Sequence, residues 1–184
     1  MMENKHDGRQ VILYIAMSLD GYIADKNGGV HWLMGDGSDP ENKGSYPEFY
    51  ETIDTVILGY KTYDQVANEL FPNHWIYDDR KSYVFTHHQL PNTKSITFTH
   101  EEPVGLIEKL KKEEGKDIWI CGGSSIVNQL LKSDMIDTFC FSIIPTILGE
   151  GISLFHHHEM EKKLKLVSTR TYDGIVDLVY KRRL

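Results

Sequence analysis

Cysteine is scarce in this 184-residue chain: only Cys121 and Cys140 occur, too few for a disulfide framework. Long apolar runs are absent too. None approaches the roughly 18 residues that a membrane-spanning helix needs. Basic charge is in deficit, with 20 Lys and Arg against 27 Asp and Glu and a net charge of −7. No Lys/Arg stripe appears, which argues against a surface that binds duplex nucleic acid by neutralising phosphates. The opening Met1 to Gln10 lacks the apolar core of a signal peptide. It reads as a frayed tail before a single domain over residues 11–184. A soluble, reduced, cytoplasmic protein is expected, and any anionic ligand must be held by local devices such as helix N-termini and one or two basic side chains.

What is present is an alternation of short apolar runs and helical patterns. Val11 to Met17 is nearly continuous in apolar residues and reads as a strand buried on both faces. Further strands are expected at Thr55 to Leu58, Ser82 to Thr86, Ser95 to Thr99, Asp117 to Cys121 and Met135 to Ile143. Two late strands near Leu164 to Thr169 and Ile175 to Lys181 join through a turn at Asp173-Gly174. Helices are expected from Pro47, from Lys61, from Pro103 and over Ser124 to Leu131. Residues 25–47, crowded with Gly, Asp, Asn, Ser and Pro around Trp32, form a long loop of the kind that covers a site. The pattern predicts an α/β domain with a mainly parallel sheet, an antiparallel C-terminal edge and helices on both faces.

Open sheets of this kind bind ligands at the carboxyl ends of their strands. Gly59-Tyr60-Lys61-Thr62 joins a buried strand to a helix, where free amides, a hydroxyl and an ammonium converge in a way that suits a phosphate. The competing reading is a plain turn in which Gly59 relieves crowding and Thr62 caps the helix. Gly122-Gly123-Ser124-Ser125 repeats the arrangement, with two adjacent residues lacking Cβ. Neither segment is a GxGxxG fingerprint or a Walker loop. Two phosphate cradles on one sheet suit a dinucleotide. Thr86, His87 and His88 stand where contacts to its adenosine ribose or 2′-phosphate would fall, although polar loop residues are by default simply solvated. Asp20 follows the first strand, where a carboxylate can orient a substrate or donate a proton; an Asp-Gly turn is the plainer alternative. His156-His157-His158 reads as a solvated loop rather than a metal cluster, and the two cysteines read as small apolar residues.

The motifs at these strand ends resemble the dihydrofolate reductase-like fold, and within it the C-terminal reductase domain of the riboflavin-biosynthesis deaminase-reductase. They are Ala16-Met17-Ser18-Leu19-Asp20-Gly21-Tyr22-Ile23-Ala24, Ile57-Leu58-Gly59-Tyr60-Lys61-Thr62-Tyr63, Ile120-Cys121-Gly122-Gly123-Ser124 and Pro145-Thr146-Ile147-Leu148-Gly149-Glu150-Gly151. The resemblance covers about Val11 to Arg182. It implies NADPH, with its pyrophosphate between the Gly59 to Thr62 helix start and the Gly122 to Ser125 turn. It also implies that Thr86 and His87 approach the 2′-phosphate, that Ala16 lines the nicotinamide, and that the chain forms a homodimer. The implied chemistry is hydride transfer to a C=N or C=O carbon, with Asp20, Glu48 or Glu150 as proton source and Asp20 and Trp32 toward the substrate.

Two departures bear on the substrate. Tyr14 stands where the riboflavin-type pattern has a lysine, and Tyr22 where it has a basic residue, so two positive charges that would suit a phosphorylated ribose are missing. Reduction of a small pyrimidine- or pterin-like heterocycle, or of a ribitylamino compound similar to 5-amino-6-(5-phosphoribosylamino)uracil, is the leading expectation. Reduction of dihydrofolate and a non-catalytic dinucleotide-binding module are the alternatives.

Overall fold

In the computed structural model, residues 8–156 and 161–183 are described. Ten strands and four α-helices follow in the order β1 (Val11–Ser18), β2 (Tyr22–Asp25), α1 (Tyr46–Tyr50), β3 (Ile53–Gly59), α2 (Tyr60–Asp64), β4 (Lys81–Phe85), β5 (Ile96–Thr99), α3 (Pro103–Leu110), β6 (Asp117–Gly122), α4 (Ser124–Lys132), β7 (Thr138–Ile144), β8 (Gly151–Ser153), β9 (Leu164–Tyr172) and β10 (Ile175–Arg182). A π-helical segment, Gln65–Leu70, continues α2. Eight strands form one sheet in the order β5-β4-β3-β6-β1-β7-β10-β9, and β2 pairs with β8 in a separate two-stranded sheet.

The six strands from β5 to β7 are mutually parallel, while β10 runs antiparallel to both β7 and β9. The α/β architecture with a parallel centre and an antiparallel C-terminal edge is therefore as the alternation of patterns predicted. β1 sits near the middle, flanked by β6 and β7, which is why its sequence is apolar at nearly every position. Its odd residues Val11 and Leu13 join one core with Leu106, Ile107 and Leu110 of α3 and Ile126, Val127 and Leu130 of α4. Its even residues Ile12 and Tyr14 join a second core with Phe49 of α1, Val66 and Trp119. The period-2 alternation of a strand thus divides one apolar run between two helical layers.

Three features differ from the sequence expectations. β2 and β8, at four and three residues, lie in segments where no strand was expected. They pair only with each other, and runs that short carry no period. Arg9, expected in the frayed tail, is buried and donates to Asp54, to Thr55 Oγ1 at 2.6 Å and to the Lys116 carbonyl at 2.6 Å, so it is part of the packed domain. The strand expected over Met135 to Ile143 begins only at Thr138, because Ser133 and Asp134 turn back on α4 through bonds to Gln129 and Leu131.

Candidate active site

The second core is largely aromatic. Tyr14 stacks on Phe49 at 4.4 Å, and Tyr46, Phe49, Tyr50 and Tyr77 surround Trp119. Edge-to-face contacts of this kind fix α1 rigidly on the sheet. The Trp119 indole N–H donates to the Tyr14 carbonyl at 2.9 Å. Cys121 and Cys140 lie against this core, and burial pushes both thiols up to about 12. They stay protonated and unreactive.

At the carboxyl ends of the neighbouring strands β3 and β6, the two glycine turns meet. A Cβ on Gly59 would lie 3.6 Å from the Gly123 amide nitrogen, and one on Gly123 would lie 3.2 Å from Thr62 Oγ1. Gly122 has φ +142°, a conformation that side chains rarely adopt, and the Gly122-Gly123 peptide is cis. Neither α2 nor α4 carries a side-chain cap. Thr62 is not the cap of α2; Gly59 holds that position, so the capping part of the plain-turn reading does not hold. The bonds from Ile126 and Val127 to the Gly123 carbonyl close the first turn of α4, and the amides of Ser124 and Ser125 precede them at the open end. Lys61 is exposed and makes no ion pair among the described residues. Tyr60 packs its ring on His88 at 4.7 Å. The imidazole of His156, arriving from the segment after β8, stands 3.3 Å from Ser124 Oγ. His157 and His158 lie outside the described residues, and no metal-binding group of three His, Cys, Asp or Glu side chains exists among the described ones.

Thr86 is buried just beyond β4, and its hydroxyl accepts the His88 amide at 3.0 Å, while His87 is exposed. Ala16, half-buried on β1, shares a row across the sheet with Ser142 of β7, Asp177 of β10 and Arg170 of β9. That row contains the carboxylate that the sequence reading missed. Asp177 is only 4% exposed. It accepts Ser142 Oγ at 2.6 Å, Tyr172 Oη at 3.2 Å, the Ser45 amide at 3.2 Å and the Ser45 hydroxyl. The Tyr14 hydroxyl is 3.0 Å from Ser45 Oγ, and burial raises its pKa. An aspartate in the middle of the apolar strand Ile175-Val176-Asp177-Leu178-Val179 was the available signal.

The three carboxylates named from sequence fall in different surroundings. Asp20 accepts Ser18 Oγ at 2.6 Å and the amides of Leu148 and Gly149 at 3.1 and 2.8 Å. Those bonds, that from Ser18 first, hold its carboxyl below the usual carboxylate range. An acid stabilised in its ionised form is a poor proton donor, so the geometry argues against that role for Asp20 and makes it the staple between the β1 end and the loop before β8. Glu48 is exposed and bound through both carboxylate oxygens by Arg170 at 3.2 Å. Glu150 is exposed and paired with Lys26 at 2.6 Å. Trp32 is 6% exposed and donates its indole N–H to the Gly29 carbonyl of its own loop at 3.2 Å, so its ring supports the loop from within and offers no open platform to a substrate.

Two clefts, of about 510 and 300 Å³, open at the opposite, amino-terminal ends of the parallel strands. Their charged walls are largely engaged in ion pairs such as Arg9 with Asp54 and Lys162 with Asp134. No helix of the described residues is long and apolar enough to cross a membrane.

Known proteins resemble this chain in sequence and in fold. The family model described as the RibD C-terminal domain matches residues 9–177. The uncharacterized protein YwjB of Bacillus subtilis is 42% identical over 179 residues, covering 95% of this chain and 98% of its own length. A putative riboflavin biosynthesis protein from Shewanella sp. PV-4 superposes with a TM-score of 0.82 at 25% identity, over 95% of this chain and 99% of its own. Dihydrofolate reductase from Enterococcus faecalis, solved with NADP(H), gives a TM-score of 0.60 at 19% identity, over 94% and 96% of the two chains. The last likeness shows a shared dihydrofolate reductase-like fold.

Proposed function

The chain belongs to the RibD C-terminal domain family, and on that premise we propose that it is an NADPH-dependent reductase of a small heterocyclic substrate. One observation carries the reading. The turns after β3 and β6 abut, and their glycines keep side chains out of the space between two uncapped helix starts. A Cβ on Gly123 would press on Thr62 Oγ1 and intrude on that space, whereas a diphosphate bridge fits a concavity of free amides, hydroxyls and one ammonium.

The residues that would hold the cofactor are Thr62, Ser124 and Ser125 through hydroxyls and amides, with Gly59, Gly122 and Gly123 giving the close approach. Lys61 supplies the positive charge. Tyr60 and its partner His88, with Thr86 and His87, flank the end of β4 where the adenosine side would lie, and Ala16 keeps the β1 end small for a flat ring. When bound, NADPH supplies the hydride. The chain's part is positioning and exclusion of water, for which no activated nucleophile is needed. Asp20 fixes the wall formed by residues 146–150. A proton from water serves the reduced heteroatom, since neither Asp20 nor the paired Glu48 and Glu150 is suited to deliver one.

Titration with NADPH and with NADH, followed by nicotinamide fluorescence, tests the reading. NADPH is expected to bind, and more tightly than NADH. If neither dinucleotide binds, the reading fails. NADPH binding without oxidation by any pterin, pyrimidine or other C=N acceptor would leave a non-catalytic binding module. A homodimer in the cytoplasm remains part of the proposal, and the oligomeric state is open to sedimentation analysis.

A further inference from the structure

One buried side chain fastens the segment after β8 to the first turn of α4. Asn128 is 7% exposed. Its carboxamide nitrogen donates to the Leu154 carbonyl at 2.8 Å and to the Ser124 carbonyl at 2.6 Å, and its oxygen accepts the His156 amide at 2.9 Å. Leu154 is fully buried, and its own amide donates to the Gly21 carbonyl at 3.1 Å, just beyond β1. The chain approaching residue 156 is thus held by α4 and by the end of β1 together. The imidazole it carries is exposed, with Nε2 3.3 Å from Ser124 Oγ at the rim of the glycine turn after β6. No ion pair of the described residues engages His156.

Strand order fixes the side from which this ring arrives. β4, β3, β6 and β1 lie next to one another in that sequence. Lys61 belongs to α2, on the β3 side of the glycine turns, and the adenosine half of the cofactor would lie beyond it toward β4. His156 comes from the other side, because its segment is tied to the end of β1, the strand whose Ala16 would receive the nicotinamide. We propose that His156 is a second basic contact of the cofactor site, its imidazole N–H donating to the phosphate on the nicotinamide side of the diphosphate. The proposal rests on the reductase reading and adds a residue to that site. A neutral imidazole carries one N–H and the protonated ring two. Together with the Ser124 hydroxyl it meets a phosphate with donors fixed before the ligand arrives, and a charge-assisted bond of this kind is among the stronger contacts an anion can make. Lys61 and His156 then close on the diphosphate from opposite sides.

Calorimetry with three probes on the wild type, His156→Ala and His156→Gln tests the assignment. NADPH and 2′-phospho-ADP-ribose carry the whole diphosphate, whereas adenosine 2′,5′-bisphosphate ends at its first phosphate and lacks the group that His156 would touch. His156→Ala is expected to weaken NADPH and 2′-phospho-ADP-ribose about tenfold, and adenosine 2′,5′-bisphosphate by less than about twofold. His156→Gln keeps an N–H donor and is expected to recover part of the loss. Asn128 holds only the backbone of residue 156, so both variants keep the fold, and retained binding of adenosine 2′,5′-bisphosphate checks this directly. NADPH affinity in His156→Ala within about twofold of the wild type overturns the proposal, as does an equal loss for all three probes. Failure of the wild type to bind NADPH would instead defeat the reductase reading, so the two failures are told apart in one series.

Discussion

At the ends of β3 and β6 the chain withdraws its side chains: Gly59, Gly122 and Gly123 leave two helix starts uncapped and facing one another. At β7 and β10, on the other side of β1, it crowds side chains together until the carboxylate of Asp177 has four neutral donors. The first region is an opening made of backbone, suited to a ligand that brings its own charge. The second is a preorganised wall in which packed polar side chains already satisfy one another. One sheet thus carries a region shaped by bare backbone and a region shaped by packed side chains.

The contrast breaks most readily at Gly123. Gly123→Val places a branched side chain against Thr62 Oγ1, where even a Cβ would stand at 3.2 Å. NADPH affinity is expected to fall by about 100-fold, equivalent to about 2.7 kcal/mol, as measured by nicotinamide fluorescence. The same change should leave the Asp177 wall intact. A variant that still binds NADPH like the wild type would show that the turns do not grip it.

Asp177→Asn attacks the other region. The amide brings an N–H₂ among hydroxyls and an amide that all donate to the carboxylate, so at least one donor loses its acceptor while buried. Destabilisation of about 2 kcal/mol is expected in urea titration, with NADPH affinity changed far less than in Gly123→Val. If the two variants had equal effects on NADPH binding, the division of the site into grip and wall would not hold.

The two glycine turns were legible in the sequence because each of their parts is local: a glycine, a small polar residue or a lysine directly after an apolar run. The register that brings the two turns into contact was not, since it depends on β3 and β6 pairing across more than sixty residues. The wall was illegible for the same reason in stronger form. Ser45 and Asp177 are 132 positions apart, and no local pattern links a serine before a helix to an aspartate inside a late strand. Asp20 shows a third case. Its place at a strand end was evident, but its bonds to Leu148 and Gly149, which make it a staple, depend on where the loop before β8 returns.

Asp20→Asn sharpens that point through pH. The folded-state pKa of Asp20 is depressed, so its contribution to stability is complete above the unfolded carboxylate value near 3.8 and is lost as pH falls through the lower folded value. The melting temperature of Asp20→Asn should therefore lie below that of the wild type at neutral pH, and the gap should close as pH drops below about 4. A gap that persists at lower pH would mean that charge is not what the staple uses. Glu150→Gln provides the smallest effect. It removes only the ion pair with Lys26, whose side chains are 64% and 67% exposed, and stability should change by less than about 1 kcal/mol.

A crystal structure of the protein soaked with NADPH tests the meeting of the glycine turns most directly. The diphosphate should lie between Thr62 and the Gly123 to Ser125 backbone, with the nicotinamide beside Ala16. Density for the diphosphate at the amino-terminal ends of the strands, or no ordered cofactor at concentrations that saturate the fluorescence titration, would contradict that assignment.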